Sequence, residues 1–474
     1  MSKRNRPDSP NVGLVKTRTL LVLGANGDLA NRLLLPGLRS LLDAEPDLDV
    51  RLIGAGRKDI PHADWKRALE KTLRIDDRPA SDSAKARLRG VIDSSRYLQA
   101  DVGDPAALRE LIGACPTAPA VYFALPPAVA IAACEAMRGI ELPTGTVLAL
   151  EKPFGTSVAT ARQLNDLLAT LVPEQQVYRV DHFLGKSTVL NLLGLRFANR
   201  IFEPVWNSTS VDHVEIVYDE KLGLEERAGY YDHAGALTDM IQSHLLLVLA
   251  LVCIEPPAGL DAEDLRGEMA QVLRATRPYG GDPAAASRRA RYTAGSIEGR
   301  EFPSYADEDG IDPARGTETL AEVTVGVENW RWSGVPFTLR SGKALGDARK
   351  EIIITFKPVP HLPTGFLGCA SPPRLRIILG PDCLHLDLNI NGAGDPFTLE
   401  PVTLSARFAE GDMTPYGEVL DGILDGDPLL SIRGDVAEQC WRIIEPVQQA
   451  WRKGAVPLEE YPAGTPGPAG WGAR

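Results

Sequence analysis

Short, uninterrupted apolar runs alternate with segments of helical period from the N-terminus to about residue 185. TLLVLG (19–24), VRLIGAG (50–56), RYLQADV (96–102), AVYFALP (120–126), TVLALEKP (146–153) and QVYRV (176–180) read as strands. Residues 29–44 and ADWKRALEKTLR (63–74) read as helices between them. Strands apolar on both faces and separated by helices predict a parallel sheet covered on each side, the α/β pattern. Beyond about residue 190 the texture changes. VDHVEIVYDE (211–220), LAEVTVGVENW (320–330), FTLRSGK (337–343), KEIIITFKP (350–358), RLRIILG (374–380) and CLHLDLNI (383–390) look like strands with few helices between. The period-2 alternation in the first two predicts an antiparallel sheet with one polar face. HLLLVLALVCI (244–254) is too short to span a bilayer and reads as a buried helix. DVAEQCWRIIEPVQQAWRKG (435–454) has the period of an amphipathic helix, and the Pro/Gly-rich end EEYPAGTPGPAGWGAR is expected to be extended.

The expected organisation is therefore a tail over 1–17, an α/β domain over 18–185 and an α+β domain over 186–474. The basic start is not followed by a signal-peptide apolar region, so it predicts a loose tail on a cytoplasmic protein. With 51 Lys and Arg against 63 Asp and Glu, the net charge of −12 argues against a nucleic-acid partner. Any phosphate ligand then needs its cations gathered in one place. The six cysteines are scattered, with neither a CxxC pair nor the Cys/His spacing of a zinc centre, so no metal site is expected.

GANGDLA (24–30) lies where the first strand turns into the first helix. Glycines there let the backbone approach a pyrophosphate that accepts from helix N-terminal amides, although GxxG departs from the usual GxGxxG. Gly24, Asn26, Gly27, Asp28 and Leu29 are the candidates. The second strand ends in GAGRKD, with Arg57 and Lys58 at its tip and no acid. A dianionic 2′-phosphate prefers a guanidinium fork, which favours NADP over NAD.

Three stretches place ionisable groups inside apolar patterns. LALEKPFG carries Glu151 and Lys152 ahead of Pro153, and RVDHFLGK (179–186) carries Asp181, His182 and Lys186. In EKLGLEERAGYYDHAGALTDMIQSH (220–244), Asp239 and His244 stand five apart where the most hydrophobic helix begins. A histidine entering such a helix is costly to bury unless paired. His213 and His385 fall in strand patterns and read as surface or packing residues.

GANGDLA, ALPP, EKPFG, DHFLGK, EERAGYYD with GALTDMIQSH, NWRWSGVPFTLRSGKAL and YPAG resemble, in order along nearly the whole chain, the motif set of the glucose-6-phosphate dehydrogenase family. That resemblance implies a Rossmann coenzyme domain and an α+β domain with a large, mainly antiparallel sheet. It also implies oxidation of a sugar C1 hydroxyl with NADP. It makes His244 the general base and Asp181 the carboxylate that orients it, with His182 and Lys186 gripping the phosphate. Glu220, Asp239 and Lys343 become sugar ligands, Lys152 serves coenzyme and sugar with a cis bond possible at Pro153, and Tyr122 joins the coenzyme residues. A homodimer or homotetramer built on the sheet is implied as well.

The chain also departs from the family pattern. Phe183 and Ser187 stand where DHYLGKE has tyrosine and glutamate, and Asn31 and Leu33 where lysines are usual. Ala348 replaces a frequent basic residue, for which Arg349 is the candidate substitute. A related sugar phosphate or modified sugar as substrate, and a non-catalytic NADP-binding homologue, are the alternatives; the presence of both Asp181 and His244 argues against the second.

Overall fold

The computed structural model describes residues 17–73, 82–225, 228–368, 370–380, 382–408, 411 and 413–471. The expected tail, but for Thr17, and Cys369 lie outside the described residues. The chain divides into two compact units, residues 1–187 with 259–266 and 411–438, and residues 188–258 with 267–410 and 439–474.

In the first unit the apolar runs become β1 (Thr17–Leu23), β2 (Asp49–Gly56), β3 (Arg96–Gln99), β4 (Pro119–Phe123), β5 (Val147–Glu151) and β6 (Val177–Val180). All pair in parallel, in the order β6-β5-β4-β1-β2-β3. Order reverses between β1 and β4, so the connections leave in opposite directions and open a crevice at the strands' carboxyl ends. GANGDLA, EKPFG and RVDHFLGK all sit at such ends. Leu20 to Leu23 and Tyr122 are wholly buried, as strands covered by helices on both faces require.

The units first divide at 187/188, two residues from the expected 185/186, but the second unit does not hold all of the chain beyond it. Residues 411–438 belong with the first unit. Helix Pro415–Asp425 packs Tyr416, Val419, Leu420, Ile423 and Leu424 into the core with Leu34, Leu38 and Leu41, and strand Ser431–Ile432 pairs antiparallel with β6.

In the second unit a ten-stranded sheet is ordered Leu399–Arg407, Asp382–Asn391, Arg374–Leu379, Lys350–Phe356, Val211–Asp219, Phe337–Gly342, Leu320–Val327, Ser287–Thr293, Leu458–Pro462, with Thr276–Pro278 also on Leu320–Val327. It is mainly antiparallel. The parallel pairs are Val211–Asp219 with Phe337–Gly342 and Ser287–Thr293 with Leu458–Pro462. The Pro/Gly-rich end thus begins as an edge strand. SRRARYT was not recognisable as Ser287–Thr293 because its three arginines, two of them adjacent, obscure the alternation. Helix Ala228–Cys253 is long and apolar enough to cross a membrane, yet 94% of its apolar window is buried inside the protein. It is a core helix, and Leu246 to Cys253 are almost entirely shielded from solvent.

Candidate active site

The turn after β1 is built by backbone constraints. Gly24 adopts φ 84°, and a Cβ there would lie 2.3 Å from the Ala124 carbonyl oxygen after β4. Its N–H and that of Ala25 both donate to the Ala55 carbonyl, and Gly27 N–H donates to Gly24 O. Asn31 Nδ2 donates back to the Gly27 carbonyl at 2.8 Å. The turn is thereby tied to both neighbouring strands, leaving Asn26 and Asp28 exposed where the helix begins, with Gly27 and Leu29 half-buried. Arg57 and Lys58 are exposed at the tip of β2. A glycine-bearing turn at a helix start, with cations on the adjacent strand, fits a dinucleotide carrying a 2′-phosphate. Tyr122, expected among the coenzyme residues, is fully buried, and its hydroxyl donates to Glu151 Oε1 at 2.5 Å.

Gly24→Ala tests the cradle. Positive φ and the carbonyl clash are expected to cost about 1–3 kcal/mol of stability, and NADP affinity should fall with it. Thermal melts and coenzyme fluorescence titration would read both, and unchanged NADP affinity would remove this turn from coenzyme binding.

RVDHFLGK is the end of β6 followed by a tight turn. Leu184, Gly185 and Lys186 N–H groups donate to the carbonyls of Asp181, His182 and Phe183 in succession, and Phe183 N–H donates to Asp181 Oδ1 at 3.0 Å. Asp181 is 1% exposed and Phe183 2% exposed, while His182 and Lys186 reach the surface. The Lys186 ammonium sits 4.1 Å from the Phe183 ring centroid, and the His182 ring stacks on Tyr416 at 5.8 Å and 16°. Gly185 permits this: a Cβ there would be 2.5 Å from the Pro415 carbonyl oxygen, the residue before Tyr416. Tyr416 had no signal in the sequence, because only the fold brings residue 416 to residue 182.

Lys152 follows β5 through a cis peptide to Pro153. Beside it, Glu151 accepts from Tyr122 and, at 3.2 Å, from Tyr416. Burial pushes its carboxyl up to about 7, helped by neighbouring Asp181 and opposed by the two tyrosine hydrogen bonds and Lys152. A carboxyl that holds its proton more tightly folded than unfolded stabilises the fold fully below the unfolded value. That contribution is lost as pH rises from about 4.5 to about 7. Glu151→Gln keeps the acceptor oxygen without the charge. Relative to the wild type, the variant should gain up to roughly 3 kcal/mol between pH 5 and pH 8. Parallel denaturant titrations at both pH values would show it, and equal differences at the two would refute it.

In the second unit, Glu220 continues strand Val211–Asp219, and Lys343 continues Phe337–Gly342 in parallel alongside it. Lys343 Nζ donates to Glu220 Oε2 at 2.7 Å, with both side chains largely shielded. Backbone bonds from Glu220 N–H to Gly342 O and from Leu345 N–H to Glu220 O fix their register. Asp239 and His244 are buried, at 4% and 1% exposure. The segment that carries them, Leu237–Leu245, is a π-helix. Five residues at 100° each would put two α-helical side chains about 140° apart. A turn closed by i→i+5 bonds is wider and brings them closer in angle. The local widening therefore brings Asp239 and His244 to one side of the helix, and π-turns of this kind concentrate at functional sites.

Family models for glucose-6-phosphate dehydrogenase match the chain almost end to end, the NAD binding domain over residues 21–191 and the C-terminal domain over 193–473. The chain belongs to the glucose-6-phosphate dehydrogenase family. It is 37% identical to the glucose-6-phosphate 1-dehydrogenase of Zymomonas mobilis over 472 residues, covering 95% of this chain and 96% of that enzyme. The crystal structure of glucose-6-phosphate 1-dehydrogenase from Mycobacterium avium matches with a TM-score of 0.82 at 32% identity, over 95% of both chains. A glucose-6-phosphate dehydrogenase in complex with its substrate glucose-6-phosphate matches with a TM-score of 0.85 at 27% identity, over 96% of both.

The departures of this family member have structural explanations. Phe183 is buried beneath Lys186, so it acts by supporting the ammonium and the edge of His182. Asn31 holds the coenzyme turn, and Leu33 is 43% exposed beside it. Arg349, the candidate substitute for the basic residue absent at Ala348, pairs with Glu351 at 3.0 Å. His213 pairs with Asp212, and His385 contacts Cys383 and Ser405, both on the sheet.

Proposed function

We propose that this dehydrogenase oxidises D-glucose 6-phosphate at C1 to 6-phospho-D-glucono-1,5-lactone, with NADP as coenzyme. The observation that supports it most is the RVDHFLGK turn, where a buried carboxylate is followed at once by two surface-reaching basic side chains. In this reading His182 and Lys186 hold the 6-phosphate and, with Glu220, Asp239 and Lys343 on the sugar hydroxyls, fix the ring's orientation. His244 takes the C1 hydroxyl proton as C1 becomes a carbonyl carbon. Asp181 sets the imidazole tautomer and stabilises its protonated form. The backbone at 24–29 holds the pyrophosphate, Arg57 the 2′-phosphate, and Lys152 serves both ligands. NADP, when bound, accepts the hydride that leaves C1. The Lys343–Glu220 ion pair offers donors and acceptors without a net charge, as neutral hydroxyls require.

NADPH absorbance should rise on adding glucose 6-phosphate and NADP to the purified protein. Turnover confined to another sugar phosphate would shift the reading to that substrate, and NADP binding without any turnover would make it a non-catalytic homologue. Neither alternative is favoured by relatives that carry this activity along their full length. The burial of the long apolar helix inside the fold supports an enzyme working in solution. Exposed Ile390, Phe397 and Leu404 at the outer edge of the large sheet support pairing with a second copy of the chain, which light scattering would register as a doubled mass.

A further inference from the structure

The helix bearing Asp239 and His244 starts abruptly. Gly235, with φ 64° and ψ 174°, breaks the preceding helix, and helical geometry resumes at Ala236 and Leu237. A helix start leaves N–H groups without intrahelical partners, and here no capping side chain comes from the helix itself. Two of these are met by one distant residue. Ala236 N–H donates to the Glu318 carbonyl at 3.2 Å, and Leu237 N–H donates to Glu318 Oε1 at 3.0 Å. The fit leaves no slack, since a Cβ on Gly235 would lie 2.3 Å from that same carboxylate oxygen. Glu318 is 7% exposed and enters directly into strand Leu320–Val327, one of the central strands of the sheet. Its position is therefore set by the sheet's register and not by the helix it caps.

We infer that Glu318 is a positioning residue for the reaction: it fixes the start of the π-helical segment, so that Asp239 and His244 are held on one side of it. The inference rests on the assignment of His244 as general base. Physically, the π-turn is a costly local state that persists only where its ends are held. Glu318 supplies that hold from a separate rigid element. Arg289, on the neighbouring strand Ser287–Thr293, is the cation that opposes the effect of burial on this carboxyl, which stands at about 7. Either protonation state keeps an oxygen that can accept from Leu237 N–H, so what matters is the reach of the side chain more than its charge.

Two substitutions separate those properties. Glu318→Gln keeps the length and the acceptor while removing the charge; Glu318→Asp keeps the charge but withdraws the oxygen by one methylene. Both would be compared with the wild type and with His244→Asn, measuring kcat, KM for each substrate, the kcat/KM pH profile and the thermal midpoint. Glu318→Gln is expected to stay within about threefold of the wild type. Glu318→Asp should lose kcat by up to about 10²-fold, the scale for a catalytic group displaced by about an ångström. KM for NADP should be unchanged, and the acid limb of the pH profile should shift as His244 moves. A variant that merely destabilised the fold would lower the midpoint and leave that limb in place. Equal loss in the Gln and Asp variants, or an Asp variant with the wild-type kcat and pH limb, would overturn the inference. If His244→Asn itself remained active, the assignment of the base would fail instead, and the two failures are thereby distinct.

Discussion

Replacing His244 with asparagine is expected to lower kcat by about 10²- to 10⁴-fold, the range that general acid–base catalysis supplies. KM for both substrates should change little, because in the proposed mechanism the imidazole acts on the C1 hydroxyl proton and not on the phosphate or the dinucleotide. The residue is 1% exposed on a helix whose following turn, Leu246 to Cys253, is buried throughout. The loss therefore has to be read per folded molecule, with the midpoint measured alongside. Asparagine was chosen because it retains a polar side chain of intermediate size and cannot serve as a base near neutral pH. A smaller drop that disappears at high pH would fit hydroxide replacing the base. Wild-type kcat at neutral pH would remove His244 from the chemistry altogether.

Lys186→Ala should have the second largest effect, on KM instead of kcat. A hydrogen bond to a charged group contributes about 1.5–3 kcal/mol, which converts to roughly a 10- to 150-fold rise in KM for glucose 6-phosphate. The ammonium is held over the Phe183 ring at 4.1 Å, so its removal deletes a positioned charge and not a freely moving one. Unphosphorylated glucose supplies the control. Its turnover, however slow, should be the same in the variant and the wild type, because it has no 6-phosphate to grip. Equal losses on both sugars would show that Lys186 supports the fold of the turn and does not bind phosphate. Added salt should narrow the difference between the two proteins on glucose 6-phosphate, since exposed charge pairs are screened.

Much of this was readable from local pattern. The continuous apolar strands, the glycines after β1 and the Arg57–Lys58 tip each depend on neighbours in sequence, so their placement follows from chain geometry. Asp181, His182 and Lys186 share one turn and were recognisable for the same reason. Tyr416 and Glu318 were not. Tyr416 reaches His182 and Glu151 across more than 200 residues of chain, and Glu318 reaches Leu237 across 81. Neither stretch carries a periodicity that marks it as part of a site. The burial of Tyr122 was not legible either, because its strand position is compatible with facing a ligand or facing the core. The pairing of Arg349 with Glu351 was likewise not legible from its place one residue after Ala348.

The sequence by itself determined the kind of layers, the glycine turn after β1, the basic tip of β2 and the ionisable residues gathered in RVDHFLGK. All of these follow from short-range sterics and the period of apolar positions. Tertiary structure alone decided that residues 411–438 complete the first unit, that Glu151 is neutral in part near pH 7, and that a π-turn brings Asp239 and His244 to one side of their helix. Burial, long-range hydrogen bonds and the close approach of backbones depend on which distant segments share a core, and no local pattern encodes that.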